Sequence, residues 1–306
     1  LPLLKHLLGT DNSVLGPPVS AQTTEIDLRD EVPEGKLDLL VTLDFRMSTS
    51  ALYADIALPA ASWYETHDLS TTDLHPFIHP FNPAIDPPWE TMNDWDQFKA
   101  IAEKFSLLAS RHLPKSQDLV ATPLFHDSPG EIAQPRVKHW WKGEVDPIPG
   151  RTMPTLTVVE RDYPNVYRQM TALGPLVAES TIGAKGVFWS SAEEYEQLKR
   201  TLGTVKAPGK TQGMPELSKA RQVDQAILTL APETNGRVAV KSWATVEKQS
   251  GLRLSHLSAP RRGEAFSFDD ITCQPRKVIT SPVWSGIESE GRTYSAFAIN
   301  IEEKLP

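Results

Sequence analysis

Cysteine is nearly absent: the 306-residue chain has one, Cys273. A single thiol closes no internal disulfide and cannot fill an iron–sulfur or structural zinc site within the chain. Its scarcity suits a reducing cytoplasm. No apolar run approaches the ~20 residues that a membrane-spanning helix needs. Leu1–Leu8 (LPLLKHLL) is too short for a signal peptide and lacks a cleavage pattern, so a soluble segment is expected. No dense Lys/Arg block interrupts a background of formal net charge −8. That argues against nucleic acid, and against an anionic membrane surface held through a basic patch. The Gly-x-Ser-x-Gly elbow, the phosphate-binding Walker loop and Gly-x-Gly-x-x-Gly are all missing. Ser285, in Val283-Trp284-Ser285-Gly286, lacks the first glycine of an elbow and is no nucleophile candidate.

Proline is the surplus: 26 residues, about 8 % against a usual ~5 %. Each proline fixes φ and removes a donor, so long irregular connections between modest helices and strands are expected. The clearest strand is Leu37–Leu43 (LDLLVTL), a nearly continuous apolar run of the kind buried on both faces of a parallel sheet. A second short strand is expected at Ile56–Leu58, stopped by Pro59, with one or two helical turns between Ser48 and Ala54. Residues 66–93 read as loop, with prolines at 76, 80, 83, 87 and 88. A helix follows from about Asp94 to Arg111, with Asn93 as N-cap and Asp94 and Asp96 in the positive first turn. Trp95, Phe98, Ile101 or Ala102, Phe105 and Leu108 form its core stripe.

Residues 113–190 show few periodic segments. Ser191-Ala192-Glu193-Glu194 reads as a capping box opening a helix with Tyr195, Leu198 and Leu202 inward, ended by Gly203. Further helices are expected near 216–230 and 236–250, the second presenting Ala239, Trp243 and Val246 and stopping at Gly251. The fold class is α/β: the end of a doubly wound, Rossmann-like domain over residues 1–112, then an irregular, mostly helical extension over 113–306. The tryptophans Trp140, Trp141, Trp243 and Trp284 read as core or interface anchors.

Asp44 is the first candidate for chemistry, because open α/β sheets bind ligands at the carboxyl ends of their strands. Asp44 to Ser50 offers a carboxylate, a guanidinium and hydroxyls in one loop. A carboxylate can accept from the N1–H and amine edge of a guanine, or from a ribose diol. It can equally cap the following turn, and spacing alone favours the cap. Asp94 needs no ligand either, since a first-turn carboxylate complements the helix dipole. His75 and His79 (HPFIHP) have the i, i+4 spacing of metal ligands on a helix. Pro76 and Pro80 forbid that helix and no third ligand stands nearby, so a zinc site is rejected. Asp73, His67 and Glu65 are read as a hydrogen-bonded loop network.

The string LDLLVTLDFRMSTSALYADIALPAASWYE resembles the third domain of the molybdopterin oxidoreductases related to dimethyl sulfoxide reductase. There a buried strand ends in an aspartate, followed by a small-residue turn, Ala-Asp-hydrophobic-x-Leu-Pro and a glutamate. Here these are Ala54-Asp55-Ile56-Ala57-Leu58-Pro59 and Glu65. The next stretch, Thr66 to Pro80, is similar to the alpha chain of respiratory nitrate reductases and their nitrite-oxidising relatives. Leu124-Phe125-His126-Asp127-Ser128, Val159 to Pro164, Leu230 to Gly236 and Gln274 to Lys277 also resemble that chain, so the likeness runs along essentially the whole sequence.

The resemblance implies an internal piece of a catalytic subunit that reduces nitrate to nitrite at a molybdenum bis(molybdopterin guanine dinucleotide) centre. It implies that Asp44 and Asp94 contact the guanosine end of the cofactor, with Leu43 contributing backbone. Thr66 stands where the family often has a nucleotide-reaching lysine, so that contact is shortened or lost. The molybdenum ligand and the [4Fe-4S] ligands of the parent are implied to lie outside residues 1–306. The implied partners are an iron–sulfur beta subunit and a membrane haem-b gamma subunit at the cytoplasmic face of a bacterial inner membrane. The alternatives are a nitrite oxidoreductase, a chlorate or perchlorate reductase, and a non-catalytic interaction module of the same fold.

Overall fold

The computed structural model describes residues 37–72, 75–122, 139–269, 271, 274–284, 287–288 and 292–293. Leu1–Leu8, Asp73, Leu124–Ser128, Cys273 and Ser285 lie outside them. Helices and strands are mixed. The chain groups into two compact units, one of Leu1–Asp68 with Phe81–Asp94, the other of Leu69–Pro80 with Trp95–Pro306.

In the first unit, the apolar run Leu37–Leu43 yields β1 (Val41–Asp44), and β2 (Ile56–Pro59) lies parallel to it, Val41 opposite Ile56 and Asp44 opposite Pro59. The connection contains α1 (Thr49–Leu52), which Ser48 caps by accepting from the Ala51 N–H at 3.4 Å. The Asp55 carboxylate accepts from the Leu40 N–H at 2.7 Å and fixes the start of the pair. Past Pro59 the ladder continues through a third parallel segment: Ala60 bridges Met92, and the Ala61 N–H donates to the Met92 carbonyl at 2.8 Å. One expectation needs correction. The run is not buried on both faces, since Leu39 is 55 % exposed and Val41 36 %. β2 pairs along an edge of β1 and covers neither face, and parallel strands are buried on both faces only where other elements pack on the sheet.

Residues 66–93 are not all loop. β3 (Asp68–Thr72) and β4 (His75–Phe81) form a three-stranded sheet with β9 (Arg276–Lys277), β4 central. Proline is tolerated in β4 because the sheet uses its carbonyl: the Val278 N–H donates to the Pro76 oxygen at 2.9 Å. The strand period of two puts Pro76 and Ile78 inward and Phe77 outward. The His75 and His79 rings meet edge to face, centroids 4.9 Å apart.

The helix expected from Asp94 is α2 (Asp94–His112), but its core stripe is different. Ala102, Ser106 and Ala109 are buried, whereas Phe98, Ile101, Phe105 and Leu108 are 52, 44, 39 and 45 % exposed. The small residues let neighbouring backbone approach closely, and the Tyr167 N–H donates to the Ser106 hydroxyl at 2.9 Å. Trp95 does pack inward, against the Leu198–Leu217–Ala226 cluster.

The stretch read as irregular contains two antiparallel strand pairs, the second of them a hairpin. β5 (Ser116–Thr122) pairs antiparallel with β6 (Thr155–Arg161), and β7 (Thr181–Ala184) with β8 (Val187–Ser190). The second turns through Lys185 and Gly186, both at positive φ (51° and 78°), which matches a turn of the primed type to strand twist. Short helices α3 (Val166–Met170) and α4 (Leu176–Glu179) lie between the two pairs in sequence.

Three longer helices follow: α5 (Ala192–Leu202), α6 (Ala220–Leu230) and α7 (Gly236–Ser250). Tyr195 and Leu198 are buried as the sequence indicates. The capping box is not formed. Ser191 makes no cap bond, and Glu194 instead receives Lys241 of α7 at 2.9 and 3.0 Å. α6 sits between two clusters, presenting Val223, Ala226 and Leu230 to Leu198 and Leu217 on one side. On the other, Leu228 meets Ile78, Phe268, Ile271 and Val278. Asn235 caps α7 by accepting from the Arg237 N–H at 3.1 Å, while its amide donates to the Thr229 carbonyl at 2.8 Å.

Asn235→Ala removes a helix cap and orphans a buried carbonyl together. We expect a loss of about 1–3 kcal/mol, read as a lowered thermal midpoint of the subunit, with Asn235→Ser, which keeps a cap acceptor, losing less. Burial pushes the Glu233 carboxyl above its ordinary range, against the Ser281 hydroxyl that donates to it at 3.1 Å. A carboxyl raised on folding contributes its stability below its unfolded pKa and loses it as pH rises through the folded value. Glu233→Gln should therefore stabilise the subunit at neutral pH and leave it unchanged near pH ~4, as denaturant midpoints at the two pH values would report.

Candidate functional site

The strand order brings the candidate residues of the first unit toward one sheet end. β1 ends at Asp44, whose carbonyl accepts from the Ala60 N–H at 3.1 Å. Ala60 bridges Met92, and Asp94 opens α2 two residues later. Parallel neighbours lie ~4.8 Å apart, so two adjacent spacings carry the chain from Asp44 to Met92. Asp44 and Asp94 thus occupy the carboxyl end of the same parallel set, the ligand side of such sheets.

A cleft of about 250 Å³ opens beside Asp44. Thr42 and Asp44, two residues apart and so on one face of β1, line it together with Arg46, Met47, Ala57 and Leu58. The wall is mostly apolar, with a carboxylate and a guanidinium as its charged groups. The Asp44 carboxyl is held below the usual carboxylate range. The nearby Ser48 hydroxyl is the main cause; desolvation opposes it, and the Arg46 N–H and guanidinium add to the lowering. The Arg46 N–H lies 3.2 Å from Oδ1. The Arg46 guanidinium stands over the Phe45 ring at 5.4 Å, and Phe45 meets Trp63 with centroids 6.1 Å apart. The Thr42 hydroxyl is buried without a partner.

The other sequence candidates are placed differently. Leu43 lies opposite Leu58 in the ladder, its side chain on the strand face away from the cleft lining. Thr66 is buried, and its hydroxyl donates to the His67 carbonyl at 3.1 Å; it is not part of the lining. Glu65 closes a local turn by accepting from the Ser62 N–H at 2.8 Å. Asp94 is exposed at the start of α2. Thr42 is the residue that sequence reasoning passed over, although strand alternation two residues before Asp44 signals its side. Among the described residues no three His, Cys, Asp or Glu side chains converge on a metal-sized site, and no helix is long and apolar enough to cross a membrane. Chemically, this arrangement is an acceptor for paired N–H or O–H donors beside a flat apolar surface. It holds no nucleophile–base pair.

Two family models match the chain: Molybdopterin oxidoreductase over residues 9–104, and Nitrate reductase alpha chain, domain V, over residues 180–302. The nitrate reductase alpha chain of Bacillus subtilis is 51 % identical over 307 aligned positions, and respiratory nitrate reductase 1 alpha chain of Escherichia coli 48 % over 309, each covering 99 % of this chain. The perchlorate reductase subunit alpha of Dechloromonas aromatica is 45 % identical, over 76 positions and 25 % of this chain. The chain spans 25 % of the length of the two nitrate reductase chains. Ordered identity from one end to the other, with a family model in each half, means that this chain belongs to the nitrate reductase alpha chains of the molybdopterin oxidoreductase family.

Proposed function

We propose that this chain is part of the catalytic subunit of a respiratory nitrate reductase, in which residues 1–112 close a doubly wound cofactor-binding domain and residues 113–306 extend from it. The observation that carries the reading is the oriented carboxylate of Asp44 at the carboxyl end of β1, in a cleft with an otherwise mostly apolar wall. The donor set fits the guanosine end of a molybdopterin guanine dinucleotide. A carboxylate takes two parallel hydrogen bonds from a guanine N1–H and amine edge, and the buried, unpartnered Thr42 hydroxyl marks polar capacity at the same wall.

In this reading Asp44 accepts from the base, and Asp94, at the same sheet end, accepts from the base or ribose hydroxyls. Leu43 contributes backbone at the strand end. Thr66, short and engaged with His67, leaves the lysine-like contact of the family unmade. Arg46 offers a guanidinium beside the carboxylate. The bound group supplies two-electron oxygen-atom transfer that converts nitrate to nitrite, while the protein binds and orients it. The parent would work with an iron–sulfur beta subunit and a haem-b gamma subunit, at the cytoplasmic face of the inner membrane, with a [4Fe-4S] cluster outside this chain. Likeness over 99 % of the chain to nitrate reductases, against 25 % to the perchlorate reductase, favours nitrate over the (per)chlorate alternative.

The test is to graft residues 1–306 into the matching place of a complete nitrate reductase alpha subunit. Nitrate-dependent oxidation of reduced viologen and molybdenum content are then measured. An active graft is expected. Asp44→Asn removes charge-assisted bonds of about 1.5–3 kcal/mol, so molybdenum content should fall on the order of ten- to a hundredfold, with Asp94→Asn in the same direction. Wild-type content in both variants would discard the site. A folded graft inactive toward nitrate but active toward chlorate or nitrite would replace the substrate.

The lowered Asp44 pKa sets a second expectation. A depressed carboxyl keeps its ionised contribution above the ordinary range of ~3.9 and loses it as pH falls through the depressed value. The Asp44→Asn defect in cofactor retention should therefore be equal at pH ~5.5 and ~8. A defect that disappears at the lower pH would contradict the ionised acceptor.

A further inference from the structure

Arg46 lines the same cleft as Asp44, two residues further along the chain. An arginine so near a carboxylate in sequence has an ion pair within reach, yet the two side chains do not close on each other. The backbone makes the contact instead: the Arg46 N–H lies 3.2 Å from Asp44 Oδ1, while the guanidinium stands over the Phe45 ring at 5.4 Å. Stacking on an aromatic face holds a guanidinium without using any of its donors. Among the described residues the guanidinium makes no hydrogen bond or ion pair, and Arg46 is exposed. Its fork of N–H donors is left for a ligand.

The charged groups of the cleft are thus an acceptor-only carboxylate and a donor-only guanidinium, which sum to no net charge. A phosphate brought to Arg46 would set negative charge near Asp44 beside a mostly apolar wall, where like charges repel more strongly than in water. A neutral edge that presents donors and then acceptors meets both groups without that cost. Guanine has such an edge: the amine and N1–H donate, and the neighbouring O6 and N7 accept. Adenine sets a single donor between two acceptors, and cytosine has a single donor beside two acceptors. Neither offers adjacent donors to a carboxylate.

We propose that Arg46 reads the base in this cleft, its guanidinium donating to guanine O6 and N7 while Asp44 accepts from N1–H and the amine. This rests on the assignment of Asp44 to the guanosine end of the cofactor. It adds selectivity to that assignment. A carboxylate alone accepts from a ribose diol as well as from a base, whereas the carboxylate and guanidinium together require guanine.

The experiment uses the complete alpha subunit carrying this sequence, with Arg46→Ala, Arg46→Lys and Asp44→Asn. It measures guanine nucleotide released per folded subunit. The expected result is a loss on the order of tenfold in Arg46→Ala, within the range of one bidentate arginine contact to guanine. Arg46→Lys should lose about as much. A lysine keeps the charge and can still stand on the Phe45 ring, but it lacks the fork that meets two neighbouring acceptors.

Wild-type content in Arg46→Lys, with content lost in Arg46→Ala, would overturn the proposal. Charge alone would then suffice, as it does for a phosphate or for a contact confined to the loop. Wild-type content in both Arg46 variants, with content lost in Asp44→Asn, would overturn it while leaving Asp44 as the ligand. Wild-type content in Asp44→Asn would remove the underlying assignment and this inference with it.

Discussion

The turn from α6 into α7, residues 231–235 with Gly236 opening α7, is the constraint on which the larger unit depends. Ala231 to Gly236 leave one helix and start the next, and three backbone groups of this turn are bonded to segments that follow α7. The Thr234 hydroxyl returns to the Leu228 carbonyl at 2.7 Å and the Asn235 amide to that of Thr229 at 2.8 Å, closing the end of α6. The Phe266 N–H donates to Thr234, the Ile279 N–H to Glu233 at 2.7 Å, and the Gly236 N–H to Glu264 at 2.8 Å. A side chain at 236 would press its Cβ to 2.0 Å from the Arg261 carbonyl, so the close approach requires glycine. Arg261 in turn donates to the carbonyls of Lys277 and Val278, beside β9 and so beside β4. One turn therefore joins two helices, the 3₁₀ segments after them and a sheet.

The first unit is organised by a different economy. Its parallel segments pair through short ladders, and its apolar side chains remain exposed at Leu39, Phe45, Met47 and Leu52. What is well determined is the end of β1. Asp44 is held by its own carbonyl in the ladder and by the Arg46 N–H. A candidate binding group is thus more firmly placed than much of the apolar surface around it, the arrangement expected where preorganisation rather than burial is the requirement.

Much of this was legible from residue types. A strand in the second half of the Leu37–Leu43 run, a short strand from Ile56 that ends with Pro59, Gly203 and Gly251 as helix ends and the helix after Asn235 follow from local chemistry, and the structure has them, although Leu37–Leu40 are not strand. Pairing was less legible. β6 (TLTVVER) carries the β-branched residues of a strand, yet its partner begins 39 positions earlier, at Ser116 opposite Arg161 with the lateral bonds set by register. In β4 the prolines suggested loop, because composition does not say which backbone group a sheet will use. The capping box at Ser191 failed through competition: Lys241, 47 positions away, claims Glu194. On α2 the periodicity of Phe98, Ile101, Phe105 and Leu108 identifies an apolar face but not its covering surface, and the packed face is the one with alanine and serine. At the site, Asp44 could be singled out by its place after a strand, whereas Thr42 acquires meaning only once strand alternation and the cleft are known.

These features favour a specific division of labour. Interactions with a part of a bound group far from its reacting atoms are equal in ground and transition state, so they add to binding and leave the chemical barrier alone. In the function proposed above, the residues that converge in the first unit would be of this kind: a carboxylate acceptor, a guanidinium and an apolar wall. Such a site contributes to catalysis by keeping its cofactor in place and in register, which demands rigidity at a strand end more than a tuned reactivity. The direction of the Asp44 shift agrees, because general acid–base work selects carboxyls raised toward neutrality. A carboxyl lowered from its ordinary value, as Asp44 is, stays charged at neutral pH and can accept.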